Sequence, residues 1–372
     1  MFWLIILVEL VVVIIDTRIF SGQFGITGFT LPPDMQCFWA NGALALHPGM
    51  VASAIAARIC PFMYPPPFLM LAAPLSWLHP LAAFAAWTSL TALSLVLAGR
   101  ALSLPWRVIG IGVLSPPGLL CATVGQTGMI VSALLLIGLG LADTSPLLAG
   151  IAAGCLVIKP QFAILFPIFF LASRNWRALG ASAASAIIGC LVSLLFFGPG
   201  VWQQFFHNQI GLAGAVLARP WPQPFQHIMI SSFILLRSLG AGLPMAYAVQ
   251  FAVTAGAVFV AWMLWSSRIW RMAPLGRLVA SLLLVMLATP YAYVYDLPAL
   301  ALALTGYALQ EKPFTLLPLA IFFLVTGLYF WLAAFGWPPA GAFFLLLLLV
   351  FVLSHPIKIQ GATDLKWGIP HA

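Results

Sequence analysis

Residues 278–309 read LVASLLLVMLATPYAYVYDLPALALALTGYAL, two apolar runs of helix length joined by a short aromatic island that holds one acid, Asp296. The runs are rich in Leu and Ala and show no two-residue alternation. Where every backbone amide must be satisfied inside lipid, that pattern selects helices over a closed barrel. The same texture extends outward across the chain. Of 372 residues, 63% are hydrophobic and 6% charged, with a mean hydropathy of +1.10; a soluble domain carries about 25% charged residues. The sequence reads as an all-α polytopic membrane protein with no room for a soluble catalytic domain.

A crossing needs about 20 apolar residues, or fewer where the bilayer thins. Candidate spans cover 2–20, 81–98, 108–124, 127–142, 146–158, 162–172, 178–197, 244–265, 278–288, 297–309, 314–333 and 340–354, about twelve in all. The segment 68–78, broken by Pro74 and bounded by Pro67 and Pro80, reads as a re-entrant or juxtamembrane piece. The leading run from Phe2 to Ile15 lacks a basic flank and a small-residue cleavage site, so it is expected to be a retained first span. This count puts ten of the fifteen Lys and Arg on one side, Arg100, Arg107, Arg174, Arg177 and Arg277 among them. By the positive-inside rule that side is cytoplasmic. The expected organisation is a single transmembrane domain over 1–372, with outer loops over about 21–80 and 198–240 and a cytoplasmic tail over about 355–372. No internal repeat is evident.

The net charge of +8 is spread singly between apolar runs, not gathered into a basic patch with interleaved aromatics, so no nucleic-acid partner is expected. The five cysteines form no C-x-x-C and have no histidines at ligand spacing. There is also no Asp-x-Asp and no P-loop, so neither a metal nor a cofactor is expected. Cys37 and Cys60 alone fall in a predicted outer loop, where they either pair or remain two thiols.

The polar residues left over collect on the predicted outer side. Asp34 follows Pro32-Pro33 and precedes an amphipathic stretch, 35–46, with Phe38 and Trp39 as interfacial anchors. It is a general base with low-dielectric walls, or a solvated loop acid that caps the helix. Tyr64-Pro65-Pro66-Pro67 locks the chain where it returns to the membrane. Gly125-Gln126 offers an amide beside a close turn, or is a plain interhelical turn. Lys159-Pro160-Gln161 places a cation between apolar runs, where it must find an anion such as a lipid phosphate, or snorkel to water. Arg58, Arg219 and Arg237 lie on the same side. Tyr291, Tyr293 and Tyr295 lead into Asp296, which either takes part in a site or caps the next helix. A loop over 198–227 mixes Trp202 and Trp221 with five glutamines and two histidines, as a sugar vestibule or an interfacial loop would.

The order of these pieces resembles glycosyltransferase family 87. The sequence runs from Asp34 through Tyr64-Pro65-Pro66, Ala73-Pro74-Leu75, Gly125-Gln126, Lys159-Pro160-Gln161, Asn175-Trp176-Arg177, and Phe197-Gly198-Pro199 with Trp202, to Thr289-Pro290-Tyr291 and Asp296. The resemblance covers about residues 1–310 and implies a C-type (GT-C) helical bundle in the plasma (inner) membrane of a bacterium. It further implies an extracytoplasmic active site that transfers a hexose, mannose by the family likeness, from a polyprenyl-phosphate donor to a lipid or glycan acceptor with inversion. On this likeness Asp34 and Asp296 are the catalytic candidates. Lys159, Gln126, Gln161, Tyr64, Arg58, Tyr291, Tyr295 and Trp221 are the substrate-binding ones. One departure stands out: better-known mannosyltransferases of the family carry histidines after the late Pro, where this chain has tyrosines and Asp296. The rival reading is a transporter or lipid-sugar flippase, which predicts polar residues near the midplane and open to both faces.

Overall fold

The computed structural model describes residues 32–46, 63–266, 272–310 and 316–354. The expected first span, Arg58, Cys60 and the tail after residue 354 lie outside the described residues. Within them the chain is helical and contains no strand; Met229 and Tyr293 form an isolated antiparallel bridge.

In chain order the helices are α1 (Pro33–Leu46), α2 (Leu69–Leu75), α3 (Pro80–Ala101), α4 (Trp106–Val113), α5 (Pro116–Val124), α6 (Gly128–Gly140), α7 (Pro146–Cys155) and α8 (Phe166–Ala172). They continue as α9 (Trp176–Gln204), α10 (Ile210–Leu217), α11 (Ser232–Ser238), α12 (Leu243–Ser266), α13 (Pro274–Leu287), α14 (Pro298–Gln310), α15 (Leu316–Ala334) and α16 (Gly341–Ser354). Proline opens many of them, including α3, α5, α7 and α13, where its missing N–H costs no helical bond.

The same prolines cut the apolar runs short. Three described stretches are long and apolar enough to cross a membrane: α3, the 42-residue stretch 176–217, and α12. A fourth is reached if α4 and α5, bent by 54° at their junction, count as one span. Most of the other segments expected to cross are apolar helices of 10–17 residues. A bundle of about twelve full spans is therefore not what these lengths establish.

Two local expectations are corrected. The region 198–227 is not a loop throughout, because α9 runs through a kink at Gly198 (φ 75°, ψ 172°) and Pro199 to a π-helical turn at Phe205–Gln209 and then α10. The α-helix ends at Leu217, and the remainder is irregular as far as a 3-10 turn at Pro224–Ile228. Phe38 is not an interfacial anchor: it is 2% exposed and meets Tyr64, Phe68 and Trp87 edge-on at 5.2, 4.8 and 5.9 Å. Aromatic edge-to-face packing of this kind fixes α1 against the 64–68 corner.

The core centres on α13 and α14, which are buried along almost their whole length. Between them the chain must break helix at Thr289-Pro290, which leaves the last carbonyls of α13 without helical partners. Gln250 and Thr254 of α12 supply them. Gln250 Nε2 donates to the Leu287 carbonyl at 3.1 Å and the Thr254 hydroxyl to that of Ala288 at 2.9 Å. The Gln250 amide oxygen accepts from the Ser232 hydroxyl at 2.7 Å and the Phe233 N–H at 3.2 Å, so this buried amide is engaged on both sides. This brace sets the position from which the Tyr291–Asp296 turn departs.

Candidate active site

Five chain segments converge on one buried polar cluster. The first is the start of α1, which carries Asp34, and the second is the corner at Tyr64. The third is the tight turn between α5 and α6. Gly125 closes α5 in the left-handed conformation (φ 70°), which suits a residue without Cβ. An added Cβ there would also meet Met35 Cβ at 2.8 Å, so the turn sits directly on α1 beside Asp34. The Trp87 indole N–H donates to the Gly125 carbonyl at 2.9 Å and holds the turn from α3. The fourth is the Tyr293–Asp296 turn before α14. Gly128 lets it approach, since a Cβ at that position would lie 1.7 Å from the Tyr295 carbonyl oxygen.

The fifth segment follows α7, where Lys159 stands between two short 3-10 turns, Leu156–Ile158 and Pro160–Phe162. It is 4% exposed, and its Nζ donates to Asp296 Oδ1 at 2.5 Å; Asp296 itself is fully buried. The ammonium also lies 5.2 Å from the ring centroid of Phe162 and 5.1 Å from that of Tyr295, within cation–π range. The second Asp296 oxygen accepts from the Tyr293 backbone N–H at 3.2 Å. Asp296 is thus both an ion-pair partner and a local cap for its own turn. Tyr293 and Tyr295 stack with centroids 5.0 Å apart and planes 7° from parallel.

Across the cluster, the Tyr64 hydroxyl donates to Gln126 Oε1 at 2.9 Å and lies 3.3 Å from Thr127 Oγ1. Asp34 is partly exposed at its surface, but enough protein surrounds the carboxyl that burial raises its pKa above the usual 3.8. The Gln126 side chain and the charge of Lys159 pull it part of the way back. Asp296 is likewise raised by burial, against the pull of Lys159. Burial, reinforced by the two carboxylates, pushes the Tyr64, Tyr293 and Tyr295 hydroxyls up, so all three remain protonated donors at neutral pH.

Of the residues expected from sequence, Asp34, Tyr64, Gln126, Lys159, Tyr295 and Asp296 come together here. Gln161 adjoins Lys159 in its turn and is half-buried. Trp221 and Tyr291 belong to a neighbouring apolar cluster around Met229, Phe233 and Ile234, which touches this one through Tyr293. Arg58 lies outside the described residues. Thr127, Tyr293 and Trp87 were not singled out as site residues. Tyr293 shares the spacing of Tyr291 and Tyr295, and Thr127 directly follows Gln126, but a lone Trp on α3 gives no sequence cue. Among the described residues no group of His, Cys, Asp and Glu has the arrangement of a metal site.

The apolar helices mark a membrane protein, and its buried charges meet in one aromatic-walled cluster. The family is shown by sequence: the model of glycosyltransferase family 87 matches residues 62–290, more than half of the chain, and the protein belongs to that family. It is therefore a glycosyltransferase, with a sugar donor and an acceptor. The match takes in Tyr64, Gln126, Lys159 and Trp221, and Asp34 and Asp296 fall on either side of it. No curated protein and no solved structure matches the chain.

Proposed function

We propose that the protein transfers a hexose, mannose in the first instance, from a polyprenyl-phosphate donor to a lipid or glycan acceptor on the extracytoplasmic face of a bacterial inner membrane, with inversion at the anomeric carbon. The observation that carries this reading is Lys159, a nearly buried ammonium held by Asp296 within electrostatic reach of Asp34. Asp34 accepts the proton of the acceptor hydroxyl as its oxygen bonds to the anomeric carbon from the face opposite the phosphate. The bond from that carbon to the phosphate oxygen breaks, and polyprenyl phosphate departs with the bonding pair. Negative charge grows on the leaving phosphate, where a fixed cation lowers the barrier.

Asp296 occupies one of the three N–H donors of Lys159 and leaves others to face phosphate oxygens. Its role is to keep the ammonium in place in a site that otherwise disfavours charge. Tyr295 and Phe162 wall the cation, and Gln161, Tyr291 and Trp221 are assigned to the substrate path around this centre. The loss of histidines after Pro290 is accommodated by Asp296, which holds the lysine from that same turn.

The donor class is tested with purified protein in lipid nanodiscs, supplied with labelled polyprenyl-phosphate-mannose and an extract of lipid-linked glycans. The expected result is a labelled product with the anomeric configuration inverted by NMR, and no product from nucleotide-activated mannose. Transfer from the nucleotide sugar alone would overturn the donor assignment.

A further inference from the structure

Gln126 is held in one orientation by two donors. The backbone N–H of Thr127 donates to its Oε1 at 3.1 Å, and the Tyr64 hydroxyl donates to the same atom at 2.9 Å. A backbone N–H can only donate, so the side-chain atom it meets is the amide oxygen, and the amide cannot be flipped without losing that bond. Tyr64 is itself fixed, stacked on Phe68 at 4.4 Å and edge-on to Phe38 of α1 at 5.2 Å. With the oxygen engaged twice, the NH2 group is what Gln126 presents elsewhere. The turn that carries it rests on Met35, next to Asp34.

We propose that Tyr64 and Gln126 are positioning residues for the Asp34 carboxylate, with Tyr64 acting through Gln126, and that neither contacts the donor sugar. The proposal rests on the reading of Asp34 as the base, and it reassigns two residues that the sequence had placed among the substrate contacts. The Gln126 side chain favours the charged form of Asp34, as an amide donor to a carboxylate does. The other charged or titratable groups acting on this neighbourhood are Lys159, Asp296, Tyr64, Tyr293 and Tyr295. A carboxylate aimed by one donor abstracts a proton from one direction, which is what in-line attack requires.

The test reads Asp34 directly. A hydrophobic carbodiimide modifies protonated carboxyls, so the pH midpoint of Asp34 labelling, followed by mass spectrometry on the purified full chain, reports its proton affinity without any substrate. Gln126→Leu is expected to move the midpoint to higher pH. Tyr64→Phe, which removes one oxygen, is expected to move it the same way by less, and the double variant should match Gln126→Leu alone. In the transfer assay both single variants should lose roughly tenfold in kcat with donor KM unchanged. An unmoved midpoint in Tyr64→Phe, additive shifts in the double variant, or a raised donor KM with kcat retained would overturn the proposal. Asp34→Asn, assayed in parallel, separates the two levels. A dead Asp34→Asn with unmoved midpoints defeats the positioning chain alone, whereas an active one defeats the base assignment beneath it.

Discussion

Three charges dominate at the residue scale: two buried or half-buried carboxylates and the lysine that both of them feel. Lys159 and Asp296 depend on each other, because removing one partner leaves the other charged and unpaired in the interior. Lys159→Ala is expected to cost roughly 3–5 kcal/mol of stability, and the double replacement Lys159→Met with Asp296→Leu should recover most of it. Thermal unfolding of the three proteins in one detergent checks this; a double variant no more stable than Lys159→Ala would contradict the pairing. Asp34 behaves in the opposite sense. Its folded pKa is raised above its unfolded value, so its stabilising contribution is full below the unfolded pKa and is lost as pH rises through the folded one. At neutral pH an uncharged amide in its place removes that penalty. Asp34→Asn should therefore melt at or above the wild-type temperature at pH 7, with the difference vanishing toward acid pH; a large drop would show that the carboxylate serves the fold.

At the scale of elements, the site depends on helices that end where their sequences cannot continue them. The Gly125 turn and the Tyr293–Asp296 turn meet because Gly128 leaves room for the Tyr295 carbonyl. Gly128→Ala should force these segments apart, cost roughly 1–3 kcal/mol, and lower transfer more than donor binding. Equal losses in both would place the damage outside the site. Gln250 is the second such device, since its amide serves the broken end of α13 and the start of α11 together. Gln250→Leu strands several buried groups at about 1–3 kcal/mol each, so a substantial fall in melting temperature is expected. A melting temperature within about a degree of wild type would mean that water or a rearranged backbone replaces it.

For the whole molecule, the charged residues divide between the buried site and exposed helix ends. The Lys159–Asp296 pair is buried at the candidate site, whereas Arg100, Arg107, Arg174 and Arg177 are exposed at helix ends. A single cysteine at Ser103 should resist an impermeant thiol reagent in intact cells, whereas one at Arg219 should react; the reverse would invert the proposed orientation. The helical class was legible because so apolar a chain has few alternatives, and Asp34, Lys159 and Asp296 were legible because charges in such a chain require partners. Their pairing was not. Lys159 and Asp296 are 137 residues apart, and each taken alone had a local explanation, an external phosphate for one and a helix cap for the other. Phe38 and the length of the 176–217 helix were misjudged for a related reason: aromatic residues and proline read the same at an interface and in a packed bundle, and only tertiary contact separates them. The central claim is that these buried charges carry out sugar transfer with Asp34 as the base. It is tested most directly by single-turnover transfer of labelled mannose from polyprenyl-phosphate-mannose by Asp34→Asn. The account predicts donor binding within about twofold of wild type and a transfer rate lower by at least about 100-fold. Transfer at the wild-type rate by a folded Asp34→Asn protein would contradict it.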